Sequence, residues 1–184
     1  MAGRGTLFLV VGPSGAGKDA LIAAARAALA HDPHFLFPRR LITRAREAGG
    51  EDHIAISPAA FEAAAAEGAF SLHWRSHGLG YGISKQLETA LAAGRNVVVN
   101  VSRNVLDEAL KRFQPVKIIL VTAPVPVLAE RLAARGRESA AEIAERLARA
   151  PYAAPSGPDV VRIENVGTLA QAVAAFLAAL RAGG

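Results

Sequence analysis

The chain has 184 residues, 52% of them hydrophobic, a formal net charge of +5 and no cysteine. This length suits one α/β domain without room for two full cores, and the apolar content excludes disorder as the main state. The absence of cysteine excludes a disulfide framework, a thiolate metal site and a cysteine nucleophile, and it fits a reducing cytosol.

In chain order, Thr6–Val11 is a short continuous apolar run of the kind a parallel strand shows when both its faces are buried. A glycine-rich turn follows, then an alanine-rich helix from Asp19 to Leu29. Residues 35–84 mix short strands, prolines, paired glycines and polar residues, and read as an insertion carrying a binding surface. Val97–Val101 and Val116–Val121 repeat the buried-strand signature, followed by helical patterns over Asn104–Phe113 and Pro124–Ala134. Residues 135–150 are a charged stretch that reads as a lid, and 151–158 as a surface loop. Asp159–Ile163 and Thr168–Arg181 read as a last strand and a closing helix. Strands alternating with helices imply crossover units, so the expected fold is α/β: a three-layer P-loop fold with a parallel sheet covered on both faces. The expected partition is a single domain with core segments 1–34, 85–134 and 151–184, an insertion over 35–84 and a lid over 135–150.

Gly12-Pro13-Ser14-Gly15-Ala16-Gly17-Lys18 matches GxxxxGK between a buried strand and a helix. Glycines let successive backbone N–H groups converge on one anion, and the helix N-terminus adds its dipole. Lys18 can then reach the β- and γ-phosphates of a nucleoside triphosphate. The next position normally holds a Ser or Thr whose hydroxyl binds Mg²⁺. Here it is Asp19, a harder Mg²⁺ ligand that also suits the first turn of a helix.

Seventeen of the 21 basic residues are arginine. The fork of arginine holds phosphate or carboxylate through two parallel hydrogen bonds, so the bias points to anionic small ligands, although codon usage alone accounts for such an excess equally well. Arg39, Arg40, Arg44 and Arg46 fall within eight residues and could clamp two phosphates. A nucleic-acid patch is the weaker alternative, because no run of stacking aromatics accompanies them. Asn100, Ser102 and Arg103 end a buried strand at its carboxyl edge, where open α/β sheets bind ligands, and are expected to contact the acceptor. Arg131 and Arg135 are like charges four residues apart, which costs stability unless an anion lies between them. The segment His73–His77 could line the acceptor pocket, with Trp74 the member most suited to packing. The histidines show no HExxH-type spacing, so no dedicated zinc centre is expected. No apolar stretch approaches the ~20 residues of a membrane span, and the protein is read as soluble and cytoplasmic, with no membrane or nucleic-acid partner and no indication of oligomeric state.

Several blocks resemble the guanylate-kinase branch of nucleoside monophosphate kinases: Ile42-Thr43-Arg44, Gly50-Glu51-Asp52-His53, Glu67-Gly68-Ala69-Phe70, Tyr81-Gly82 and Arg131…Arg135-Gly136…Ile143-x-x-Arg146-Leu147. The resemblance implies that Arg44, Arg46 and Tyr81 grip the acceptor's phosphate, with His53 standing where that family has a tyrosine. It also implies that Arg131, Arg135 and Arg146 stabilise the transferring phosphoryl group and pack on adenine. Two departures matter. Leu72 stands where the family has the glutamate that reads guanine, and Asn100 and Ser102 replace an acidic pair. Leucine leaves guanine N–H donors unpaired, so the phosphate grip survives and the base reader does not.

A narrower resemblance accommodates these departures. GPSGAGKD, ITRAR followed by GEDHIAIS, FSLHWRSHGLGYGI, VVVNVSR and RGRE together resemble the ribose 1,5-bisphosphate phosphokinases, in which Asp19 belongs to the motif. That family uses ATP and Mg²⁺ to make 5-phosphoribosyl 1-diphosphate and is linked to phosphonate breakdown. Its acceptor, a phosphate oxygen already ionised at neutral pH, needs no general base. The rival readings are another small-molecule kinase, of guanylate or gluconate type, and a non-catalytic guanylate-kinase-like binding module.

Overall fold

The computed structural model describes residues 3–48, 50–136, 139–149 and 154–184, leaving out the side chains of Arg146 and Arg149. The chain runs β1 (Leu7–Val11), α1 (Lys18–Ala28), β2 (Phe35–Leu36), β3 (Leu41–Ile42), β4 (Ile54–Ala55), α2 (Pro58–Ala66), β5 (Phe70–Ser76) and β6 (Leu79–Ser84). It continues through α3 (Gln86–Ala92), β7 (Asn96–Asn100), α4 (Leu106–Arg112), β8 (Val116–Thr122), α5 (Val125–Ala134), α6 (Ala140–Arg149), β9 (Val160–Glu164) and α7 (Leu169–Gly183).

The central sheet has the order β2-β7-β1-β8-β9 and is parallel throughout. Its central strand β1 is apolar at every step because helices cover both faces, and its successive residues feed different halves of the core. Leu7, Leu9 and Val11 pack with Leu87, Leu91, Leu106 and Ala109 of α3 and α4. Phe8 and Val10 pack with Leu21 and Ala25 of α1 and Phe176 and Leu180 of α7. The last helix starts at a capping box, in which Thr168 accepts from the Gln171 N–H and the Gln171 side chain accepts from the Thr168 N–H. No helix among the described residues is long and apolar enough to cross a membrane.

A second, smaller sheet of order β4-β3-β6-β5 rises from the segment between β2 and α3. Its longest pairing is the β5–β6 hairpin, turned at His77 and Gly78, both with positive φ. Ser57 caps α2 by accepting from the Ala60 N–H. Two boundaries differ from expectation. Phe35 and Leu36 pair with Asn96 and Val97 of β7, so the chain leaves the central sheet only after them. Arg95 makes this pairing, donating to the carbonyls of Pro33 and Phe35 at 3.0 and 2.9 Å. The helix expected from Asn104 begins as a 3-10 turn at Arg103–Val105, under a Ser102 cap, before α4 proper.

The two sheets place the carboxyl ends of β1 and β7, the start of β3 and the hairpin around one opening. Phe176 is fully buried against α1 and the sheet. Phe176→Ala is expected to destabilise the protein by about 3–5 kcal/mol in urea unfolding, with the m-value unchanged.

Candidate functional site

The loop between β1 and α1 curls because glycine permits it. Gly17, the residue before the helix, has φ 93°, and a side chain at Gly12 would collide with the Val121 carbonyl. Asn165, directly after β9, braces the turn: its buried Nδ2 donates to the Ala16 carbonyl at 2.9 Å. Its own carbonyl accepts from Arg131 at 2.9 Å. Sequence reasoning missed Asn165, since a lone asparagine after a strand carries no pattern and its partner is 149 residues away.

Lys18 opens α1, and its ammonium donates to the carbonyls of Gly12 and Pro13 at 2.7 and 2.9 Å. Burial lowers its pKa from 10.5 to about 8; Arg40 and Arg135 push the same way, while Asp19 and Glu51 oppose. Asp19 follows in the first turn, and its Oδ1 accepts from the Asn100 side chain at 2.7 Å. One carboxylate so held, beside a phosphate cradle, fits Mg²⁺, which takes one or two protein carboxylates and completes its shell with phosphate and water. Among the described residues there is no cluster of three His, Cys, Asp or Glu that could hold a metal.

A cleft of about 1000 Å³ joins the cradle to the second sheet. Of the residues expected at an acceptor site, Arg40, Arg44, Tyr81, Asn100, Ser102 and Arg103 line it. Tyr81 stacks on Trp74 with ring centres 5.4 Å apart and planes 3° from parallel. Trp74 is thus both a packing residue, 7% exposed, and part of the wall. Arg44 stands out among the lining residues: its Nε and Nη2 are buried and make no hydrogen bond among the described residues. A guanidinium held without a partner is costly, and a bound phosphate would satisfy it. Arg103 and Ser102 sit at the end of β7, where Ser102 also accepts from the Asn104 N–H at 3.3 Å.

Other expectations are corrected. His53 does not line the cleft. It is 2% exposed, with Nδ1 against the Glu51 carbonyl at 3.0 Å and Nε2 against the Arg44 carbonyl at 3.1 Å. It ties the loop between β3 and β4, its ring nitrogens each facing a backbone carbonyl of that loop. Arg46 lies exposed on the 3-10 turn Arg46–Ala48 and is absent from the cleft lining. Arg40 lines the cleft but its guanidinium is committed to Glu51, a residue sequence reasoning did not single out as functional. Arg131, expected at the transferring phosphoryl group and the adenine, sits beside the cradle. It donates to Asn165 and to Gly15 at 3.5 Å, so backbone carbonyls relieve its repulsion with Arg135. Arg131 and Arg135 border a neighbouring hollow of about 350 Å³ beside Gly15 and Asn165, and Arg135 also reaches the main cleft. The side chain of Arg146, on α6, lies outside the described residues.

Leu72, at the position of the missing base reader, is fully buried among Trp74, Ile83 and Leu87. It does not line the cleft.

Comparison with known proteins places these features. A family profile described as an AAA domain matches residues 7–150. The ribose 1,5-bisphosphate phosphokinase PhnN of Brucella melitensis is 47% identical over 174 residues, covering 95% of this chain and 91% of its own length. The protein of that name from Rhodopseudomonas palustris is 48% identical over 167 residues, covering 91% and 84%. Among solved structures, guanylate kinase from Anaplasma phagocytophilum matches with a TM-score of 0.67 at 19% identity, over 98% of this chain and 86% of that one. At that identity the match establishes the fold, a guanylate-kinase-like α/β P-loop architecture.

The Lys18 environment makes a pH prediction. Phosphate restores the proton that burial disfavours, so binding takes up a proton above about pH 8 and none below it. ATP affinity, followed by calorimetry, is expected to be flat from pH 6.5 to 7.5 and to fall by up to about tenfold per pH unit above pH 8. By the same linkage the unfolded chain binds more protons between about 8 and 10.5, so this lysine makes the nucleotide-free protein more stable as pH rises through that window.

Proposed function

The chain belongs to the ribose 1,5-bisphosphate phosphokinase family, and we propose that it transfers the γ-phosphoryl group of ATP to the 1-phosphate of ribose 1,5-bisphosphate, giving 5-phospho-D-ribose 1-diphosphate and ADP. The observation that carries this reading is the Arg44 guanidinium, its Nε and Nη2 unpartnered among the described residues, in a cleft shared with the Lys18 cradle, while the base-reading position is buried as Leu72. The acceptor site is equipped for phosphate and not for guanine.

The backbone of Gly12–Lys18 and the α1 N-terminus hold the β- and γ-phosphates of ATP. Lys18 exchanges its two loop carbonyls for phosphate oxygens. Arg131 and Asn165 keep the cradle in shape, and the hollow beside them takes the adenine. Arg44, Arg103 and Tyr81 hold the acceptor so that its 1-phosphate oxygen lies in line with the γ-phosphorus. That oxygen forms the new P–O bond as the bond to the ADP oxygen breaks, and Arg135 neutralises charge on the transferring group. Asp19, steadied by Asn100, would hold Mg²⁺, whose charge offsets that of the phosphates. Because the attacking oxygen is already ionised, no side chain need remove a proton. An ATP-consuming reaction and a cysteine-free chain both suit the cytoplasm.

ADP release from MgATP should be seen with ribose 1,5-bisphosphate and not with GMP. Turnover on GMP alone would overturn the reading and favour a guanylate kinase with a different base reader. Lys18→Ala is expected to lower kcat by about 10³-fold or more with the fold retained by circular dichroism. Arg44→Ala should raise the acceptor KM by about 10–100-fold and leave the ATP KM within twofold.

A further inference from the structure

Glu51 places a carboxylate in a cleft that, on the reading above, receives a multiply charged sugar bisphosphate. Taken alone, its charge opposes the acceptor. It is not alone: the Nε of Arg40 donates to its Oε2 at 2.8 Å, and Nη2 donates to its Oε1. Both side chains are largely buried, at 10% and 15% exposure. The Arg40 guanidinium lies 5.1 Å from the Tyr81 ring centre and 5.9 Å from that of Trp74, against the stacked pair. Its remaining nitrogen, Nη1, donates to the Asn100 carbonyl at 3.3 Å, and the Asn100 side chain donates to Asp19. An unbroken line of polar contacts therefore runs from the loop before β4, through the start of β3 and the end of β7, to the first turn of α1.

A buried ion pair is weak evidence for stability, since apolar residues of the same volume hold two elements together as well or better. What it supplies is direction. A bidentate fork fixes the guanidinium plane, and each terminal nitrogen of Arg40 keeps one N–H uncommitted to these partners. We propose that Glu51 is a positioning residue for the phosphoryl transfer: by fixing Arg40 between the Trp74–Tyr81 stack and the Asn100 carbonyl, it holds the acceptor sheet in alignment with the Asp19 end of the P-loop. This rests on the functional reading above. Its electrostatic and positional contributions have opposite signs, and that makes it testable.

Glu51→Gln keeps the shape and one acceptor oxygen but removes the charge. If Glu51 positions Arg40, kcat with ribose 1,5-bisphosphate falls about tenfold or more. ATP binding measured without acceptor stays within twofold, and the melting temperature moves by a few degrees at most. Arg40→Gln gives a similar loss, and the double variant loses no more than the worse single one. If Glu51 acts only through its charge, the acceptor binds more tightly and kcat holds, and that result overturns the proposal. Equal losses in turnover and in ATP binding, or additive effects of the two substitutions, overturn it also. Should the single variant fail to fold, Arg40→Met combined with Glu51→Met removes both charges together; a folded double variant with wild-type turnover overturns the proposal, and one with kcat reduced tenfold or more supports it. The wild-type control separates the two readings. Wild-type turnover on the sugar bisphosphate with no effect of Glu51→Gln defeats the positioning role alone, whereas no wild-type turnover defeats the functional reading itself.

Discussion

Positive charge gathered in excess of its counter-charge is the constraint that organises this molecule. Lys18, Arg40, Arg44, Arg103 and Arg135 all border one cleft, and in the absence of a ligand their mutual repulsion and desolvation must be met from within the protein. The answers differ by residue. Lys18 borrows two carbonyls and loses basicity, Arg40 takes a carboxylate, and Arg44 takes nothing among the described residues. These residues thus form a graded set, from committed to waiting. Polyanionic substrates fit such a set, because each phosphate relieves a cost the fold already bears.

The same charge economy explains which groups are ligand-facing and which are struts. Arg131 and His53 have the chemistry of phosphate binders, yet both face backbone carbonyls, Arg131 through its two terminal nitrogens and His53 through its ring nitrogens, and each braces a loop that presents another residue. The segment Gly50–His53 shows this at closest range. Glu51 holds Arg40, Asp52 lies 3.4 Å from Arg26 and 3.5 Å from Arg39, and His53 joins two carbonyls of its own loop. Three consecutive polar residues pin the loop in three directions, and Arg44 stands at its mouth.

Much of this was legible in the sequence, for a physical reason. The P-loop, its flanking strand and its helix are local: seven consecutive residues determine the turn, and the apolar runs on either side determine the layers. The alternation of strands and helices likewise foretold a parallel sheet, because few connections are sterically open to such a pattern. What was not legible depends on distant pairing. Asn165 matters because it meets Ala16, and Glu51 matters because the pairing of β3 with β4 brings Arg40 beside it. Neither partner can be named from spacing. His53 misled for the complementary reason: its residue type allows phosphate binding, and only the fold shows that the ring is buried with both nitrogens turned to backbone. The β2 boundary was missed because two residues carry too little pattern to be told from a loop.

Leu72 ties specificity to packing. It belongs to the apolar cluster shared with Trp74, Ile83 and Leu87, so the change that removes a base reader also adds to the core beneath the acceptor sheet. The wall left facing the cleft is then the Trp74–Tyr81 stack with Arg40 against it, a surface of apolar faces and fixed charge. A purine edge asks for paired donors and acceptors at set positions, whereas a sugar carrying phosphates at two ends asks chiefly for cations at the right separation. Substituting glutamate at Leu72 would therefore not rebuild a guanine site: it would set an unpaired carboxylate in the apolar cluster and leave Arg40 in place. On the proposed function, discrimination between the two acceptor classes would thus reside in the wall and the core behind it together, with the loss of one reader residue only its most visible sign.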